Sequence, residues 1–160
     1  MKVRVAWLGR PSASPFEREI ESYRKRIQRR WPAEDRPVRS ASGGRDKDPG
    51  RALKLEAEAL LRHLDSGWRL VALEENGPAH TSAAFAQRLS QLADGGVEGV
   101  LFVIGSDLGL HAEILARADE RLSLSPMTLP HLLARLLLWE QLFRAANILG
   151  GGAYHRVGVQ

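Results

Sequence analysis

Apolar runs recur along this chain at intervals that leave room for a helix between one run and the next. Residues 3–8 alternate and then run apolar, predicting a first strand. A helix follows, with Ser14 as N-cap, Pro15 at the first helical position and Glu17 three residues after the cap. It is expected to run to about Arg30, where Pro32 ends it, before a short strand near Val38. A polar, glycine-containing loop over residues 41–50 overlaps a second start signal, Asp48-Pro49. That signal opens a helix through Leu53, Leu55, Ala57, Leu60, Leu61 and Leu64, with Gly67 expected to stop it.

The pattern then predicts a strand over residues 68–73, a turn at Glu74-Glu75-Asn76-Gly77-Pro78, a helix over 82–93 and a strand over 100–104. A short helix over 112–118, a short strand near Leu122 and a long helix over 130–149 complete it. Strands separated by helix-length segments imply an α/β fold, a mostly parallel sheet flanked by helices. Such sheets collect ligands beyond the carboxyl ends of their strands. The loops after Leu73, Ile104 and Leu124 are therefore candidates.

The long C-terminal helix is apolar on more than one face, through Leu132, Leu133, Leu136, Leu137, Leu138, Trp139, Leu142 and Phe143. A surface helix needs one stripe. The second face is expected to meet another subunit in a two-fold homodimer, the alternative being coverage within one chain.

With 160 residues, 44% hydrophobic, the chain has the size of a single domain spanning residues 1–160. The absence of cysteine excludes disulfides, thiolate zinc sites and thiol nucleophiles, and fits a cytoplasmic setting. Arg135, Glu140 and Gln141 interrupt the longest apolar run, and the polar-interrupted first strand does not read as a signal peptide, so a soluble protein without membrane partner is expected. The net charge of +4 is uneven, because residues 18–51 hold 11 Lys and Arg against 6 Asp and Glu. That excess reads either as a solvated basic helix face or as a site for an anionic partner, RNA above all.

Candidate chemistry concentrates in the last third. Gly105 and Gly109 bracket a turn after a buried strand, in a spacing that matches neither dinucleotide nor P-loop fingerprints. In Ser125-Pro126-Met127-Thr128-Leu129-Pro130-His131 two prolines restrict a segment able to line a pocket, with Pro130 as first helical residue. His131 there is a cap, a buried partner or a catalyst. Tyr154-His155-Arg156 follows three glycines, and is either a disordered tail or a ring, an imidazole and a guanidinium suited to RNA. The five histidines show no metal-ligand spacing, and no metal is expected.

At these residues the chain resembles the ribosomal large subunit methyltransferase H family, of the SPOUT class of RNA methyltransferases. The resemblance is carried by Leu8-Gly9, Tyr23 with its basic neighbours, Val71-Ala72-Leu73, Ile104-Gly105, residues 124–131, Arg135, Arg144-Ala145 and Tyr154-His155-Arg156. Two positions depart from the family pattern. Gly105-Ser106-Asp107-Leu108-Gly109 stands where the family usually has Gly-Gly-Pro-Glu-Gly, and Val157-Gly158-Val159-Gln160 extends past the usual end.

The resemblance implies a homodimer with a C-terminal trefoil knot, knot and cofactor loops lying within about residues 70–160, that binds S-adenosylmethionine and methylates N3 of a pseudouridine in 23S ribosomal RNA. The cofactor residues it implies are Leu73, Gly105, Leu124, Ser125, Pro126, Met127, Thr128 and Leu129. His155 or His131 is expected to assist deprotonation, Arg156 to steady an oxyanion or phosphate, and Tyr154 to stack on the base. Arg24, Lys25, Arg26, Arg29 and Arg30 are expected to hold RNA phosphates, on free RNA or the assembled ribosome. Two rival readings are a noncatalytic RNA- or ribosome-binding module of the same fold and a SPOUT enzyme acting on another RNA.

Overall fold

Strands Lys2–Leu8 (β1), Ala33–Val38 (β2), Trp68–Leu73 (β3), Gly99–Ile104 (β4) and Glu120–Leu122 (β5) form a sheet in the order β2-β1-β4-β3-β5. Every neighbouring pair is parallel. The structure, a computed structural model, describes residues 1–39 and 48–151. The helices are Glu17–Ile27 (α1), Pro49–Leu61 (α2), Ser82–Asp94 (α3), Ala112–Arg117 (α4) and His131–Leu149 (α5), with a 3-10 turn at Pro11–Ala13. The expected α/β architecture is the one observed.

Strand alternation sorts the core into two halves. Val3, Val5 and Trp7 face one side, packed by Ile20 and Ile27 of α1, Phe85 and Leu89 of α3, and Leu138 and Leu142 of α5. Ala6 and Leu8 face the other, against Ala57 and Leu60 of α2 and Ile114 of α4. Central β4 is buried along its whole length, as a strand covered on both faces must be, and its sequence is accordingly a continuous apolar run. Pro37 is tolerated because β2 is the sheet edge, where a missing ladder donor costs little.

Two helix starts follow from local chemistry. The Asp48 carboxylate accepts from the Gly50 and Arg51 amides with Pro49 at the first turn, and the Thr81 hydroxyl accepts from Ala84 at 3.1 Å. Elsewhere the boundaries differ from those the sequence predicts. α1 begins at Glu17, because the Ser14 hydroxyl accepts from the Phe16 amide two residues on and so forms a turn rather than a helix cap. Its last turn loosens after Ile27. α2 ends at Leu61, where the His63 and Leu64 amides bond three residues back to Leu60 and Leu61, and Gly67 serves the following turn at φ +76°. Pro130 caps α5 with its carbonyl, and His131 is the first helical residue.

α5 only partly fills its expected role. Leu138, Trp139, Leu142 and Phe143 are buried within the chain, whereas Leu132, Leu136 and Leu137 are half-buried and Leu133 is exposed. Among the described residues no helix is long and apolar enough to cross a membrane.

Arg135 sits on the buried face of this helix, 1% exposed. Its guanidinium lies 3.9 Å from the centroid of the Trp7 ring, donates to Asp35 at 2.7 and 3.1 Å, and pairs with Glu17. Asp35 accepts in addition from the indole nitrogens of Trp7 and Trp139, at 3.0 and 2.9 Å. Burial works against the arginine's charge, but the two carboxylates outweigh it and hold its pKa above the ordinary value. Asp35→Ala removes one partner and leaves the cation in place. Urea unfolding is expected to show a loss of about 3–5 kcal/mol; a change below about 1 kcal/mol would show the carboxylate to be dispensable.

Candidate active site

Beyond the carboxyl ends of β3, β4 and β5 three loops enclose a cleft of about 740 Å³. Leu73, Ile104, Leu122 and Leu124 give it apolar walls at the strand ends, and residues of the segment 125–131 close another side. These are the loops that the strand-end argument selects. Of the cofactor residues expected from the sequence, Leu73, Gly105, Leu124, Ser125, Met127, Thr128 and Leu129 line the cleft. Pro126 does not line it; it lies within the turn that the Ser125 hydroxyl closes by accepting from the Met127 amide at 2.9 Å.

Gly105 has a structural reason that the sequence does not reveal. A Cβ built there would lie 2.3 Å from the Gly109 carbonyl oxygen, because the loop turns back on itself and bridges Ser106 to Gly109. Gly109 completes the turn at φ +81°, which a side chain would strain. The glycines therefore serve the loop's own closure as well as the space in front of it.

The departures from the family pattern are accommodated by bonds. The Ser106 hydroxyl donates to Glu56 of α2 at 3.0 Å, and Glu56 is only 2% exposed. Asp107 lies 3.0 Å from the Nδ1 of His131. The third loop is tied as well, since the Thr128 hydroxyl donates to Glu75 at 2.6 Å.

His131 thus stands at the cleft edge with its ring held by a carboxylate, and the capping alternative is not what the structure shows. Arg135, one turn further on, is withdrawn into the core and does not line the cleft.

The cleft is acidic. Glu74, Glu75 and Asp107 line it, and among the described residues no lysine or arginine does, although the Arg121 guanidinium pairs with Glu74 at 3.4 Å. The sequence reading missed this trio, and also missed Glu56. A carboxylate interrupting the apolar stripe of α2 at Ala52, Glu56, Ala57 and Leu60 was the available signal for the latter.

The structure does not bring the expected basic residues to this cleft. Lys25, Arg26, Arg29 and Arg30 line a separate groove with Asn147 and Gly150, at the other end of α5. Along α5, at 1.5 Å per residue, the lining residues of the two places are separated by roughly 14 Å between Ala134 and Phe143 and by roughly 28 Å between His131 and Gly150. Arg24 is engaged by Glu21 and the Ala33 carbonyl. Tyr154, His155 and Arg156 lie outside the described residues, and Gly151, the last described one, follows the end of α5 remote from the cleft.

Residues 1–155 match the family profile described as a predicted SPOUT methyltransferase. The chain is 43% identical over 156 residues to the ribosomal RNA large subunit methyltransferase H of an Anaeromyxobacter strain, the alignment covering 98% of this chain and 100% of that protein. It is 41% identical over 157 residues to the protein of the same name from Rhodospirillum centenum, covering 98% and 99%. With that from Rubrobacter xylanophilus the identity is 46% over 137 residues, covering 84% and 86%.

Because the Gly109 backbone occupies the space next to Gly105, even Gly105→Ala is expected to disturb the loop. The thermal midpoint should fall by roughly 3 °C or more, at about 2–4 °C per kcal/mol for a chain of this size. An unchanged midpoint in a thermal melt would mean that the loop yields without cost.

Proposed function

The chain belongs to the ribosomal RNA large subunit methyltransferase H family of SPOUT methyltransferases, and from that premise we propose that it methylates N3 of a pseudouridine in 23S ribosomal RNA with S-adenosylmethionine as donor. The observation that carries this reading is the cleft at the carboxyl ends of β3, β4 and β5, lined among the described residues by three carboxylates and by no lysine or arginine. Its donor set fits a cationic nucleoside. Leu73, Leu124 and Leu129 supply apolar walls, Gly105, Ser125, Met127 and Thr128 supply main-chain groups, Pro126 stiffens the segment, and Glu74, Glu75 and Asp107 supply negative charge. When bound, S-adenosylmethionine supplies a methyl group on a sulfonium centre. Three carboxylates also disfavour a bare polyanion, so the RNA is expected to enter by a single nucleotide turned out of its stack. That the substituted loop is held by Glu56 and His131 favours an enzyme over a noncatalytic module.

The chain's own work is binding, exclusion of water and placement, which together supply roughly 7–11 kcal/mol in well-oriented reactions. N3 of the base must lose its proton. His131, oriented by Asp107, or His155 holds that proton; Arg156 steadies the charge developing on the base carbonyl, and Tyr154 stacks on the ring. The reading includes one domain over residues 1–160, a trefoil knot formed by its C-terminal part, and a cytoplasmic location.

A homodimer belongs to the same reading. Leu133 on α5 is exposed beside the half-buried Leu132, Leu136 and Leu137, and at the cleft mouth Leu108 and Met127 are 54% and 75% exposed. A second copy would cover them. Chain length points the same way. His155 is the sixth residue after Leu149, at most about 21 Å away when fully extended, against roughly 22–27 Å along α5 from Leu149 back to Ala134 and His131 at the cleft. The partner's tail, delivered by an antiparallel α5, is better placed for this cleft than the chain's own.

Titration calorimetry is expected to show binding of S-adenosylmethionine, and mass spectrometry of ribosomal RNA after incubation with large subunits is expected to show one added methyl on a pseudouridine. Glu75→Gln should weaken S-adenosylmethionine about three- to tenfold more than the product S-adenosylhomocysteine, which lacks the sulfonium charge. Equal weakening of both ligands would remove the charge argument, and no binding of either would favour the noncatalytic module. Light scattering should give twice the 17.7 kDa chain mass at micromolar concentration; a monomer there would leave the site within one chain.

A further inference from the structure

The loop from Gly105 to Gly109 is held by two consecutive residues that reach helices on opposite faces of the sheet. The Ser106 hydroxyl donates to Glu56 of α2 at 3.0 Å, and the Asp107 carboxylate lies 3.0 Å from Nδ1 of His131 on α5. α2 packs on the half of the core that holds Ala6 and Leu8, and α5 on the half that holds Val5 and Trp7. The chemistry proposed for the cleft uses His131. It gives no task to Glu56, which does not line the cleft and is 2% exposed.

A carboxylate at this position works against the packing of α2. Ala52, Ala57 and Leu60 make up the rest of the buried stripe, and an apolar side chain would complete it without removing a charge from water. What offsets that cost is directional bonding to the loop.

A carboxylate offers only acceptors, so it dictates how the Ser106 hydroxyl turns. The hydroxyl hydrogen is committed to Glu56, and a lone pair is left to accept from the Leu108 amide at 3.3 Å. The carbonyl of the same residue accepts from the Gly109 amide at 2.8 Å. Ser106 therefore holds both of the amides that follow Asp107, and the turn so closed sets where the Asp107 carboxylate stands before His131. It also sets the Gly105 backbone, against which Gly109 is packed.

We propose that Glu56 is a positioning residue for this cleft, acting through the Ser106 hydroxyl on the loop that carries Gly105 and Asp107. The proposal rests on the S-adenosylmethionine reading for its choice of ligand. By narrowing the geometries open to the loop before a ligand arrives, the bond lowers the cost of ordering it on binding. A charge-assisted bond suits that task, being roughly twice as strong as one between neutral groups. The contact between Asp107 and His131 is open to solvent and can be exchanged for contacts with a ligand. The anchor on Glu56 is buried, so the loop keeps its place during that exchange.

The test is a double-mutant cycle in the full chain, Ser106→Ala and Glu56→Gln singly and together, read by S-adenosylmethionine calorimetry and by hydrogen exchange at the Leu108 and Gly109 amides. Ser106→Ala is expected to weaken S-adenosylmethionine about three- to tenfold and to speed exchange at both amides by a similar factor. Glu56→Gln leaves a neutral acceptor in the same place, and its effect should be about two- to fourfold on each quantity. In the Ser106→Ala background Glu56→Gln should change neither by more than about 1.5-fold, because the hydroxyl through which it acts is gone. A carboxylate that served only the packing of α2 would shift the thermal midpoint alike in both backgrounds and leave the affinity of the folded chain where it was. Native affinity and exchange in Ser106→Ala would overturn the proposal, as would a Glu56→Gln effect of equal size in both backgrounds or in neither. Ser106→Ala alone decides the matter should Glu56→Gln fail to fold. No binding of S-adenosylmethionine by the native chain would count against the methyltransferase reading, while the exchange cycle still judges the link between Glu56 and the loop.

Discussion

A single buried guanidinium, that of Arg135, joins four elements of this fold. It leaves α5, lies on the Trp7 ring of β1, and bonds to Asp35 of β2 and Glu17 of α1. Removing a cation from water is expensive unless charge and hydrogen bonds replace what water supplied. The replacement here is complete enough that no buried side-chain polar atom among the described residues lacks a partner. The constraint reaches the cleft because His131 lies one turn before Arg135 on the same helix. Wherever Arg135 is anchored, the first turn of α5 is fixed, and with it the side of the cleft that faces Asp107.

The molecule is also polarised along its helices. α1 runs from Glu17, beside Arg135, to Arg26, over Phe143, so it is aligned with α5 and both helices end at the basic groove. Acidic side chains collect around the cleft at the opposite end, with Glu74, Glu75 and Asp107 on its wall. Separation of this kind suits a cationic ligand at one end and an anionic one at the other. A single uniformly basic surface would attract RNA but would not welcome a sulfonium.

The cleft combines a firm floor with adaptable edges. Its floor is the ends of buried strands and the loop from Gly105 to Gly109, closed by backbone contact and by Ser106 on buried Glu56. Its edges are joined by Thr128 to Glu75 and by His131 to Asp107, at positions open to solvent. Exposed ties of this sort contribute about 1 kcal/mol or less each. They set the loops near one another without preventing their adjustment to a ligand.

The order of strands and helices was legible in the sequence because it depends on local periodicity and on local caps. β3 spans the residues that the pattern predicts, and Asp48-Pro49 starts a helix as its chemistry requires. The three cleft loops were legible for the same reason, since a parallel α/β chain fixes which ends of its strands face a ligand. Ser14 misleads because a hydroxyl before a proline can close a turn as well as a helix, and local sequence does not choose between them. The remainder depends on partners far apart in the chain. Glu56 meets Ser106 across 50 residues, Arg135 meets Glu17 across 118, and the first-helix arginines border the end of α5 instead of the cleft. Such pairings carry no periodic signal, because they are decided by which faces the sheet brings together, and only the tertiary structure sets that.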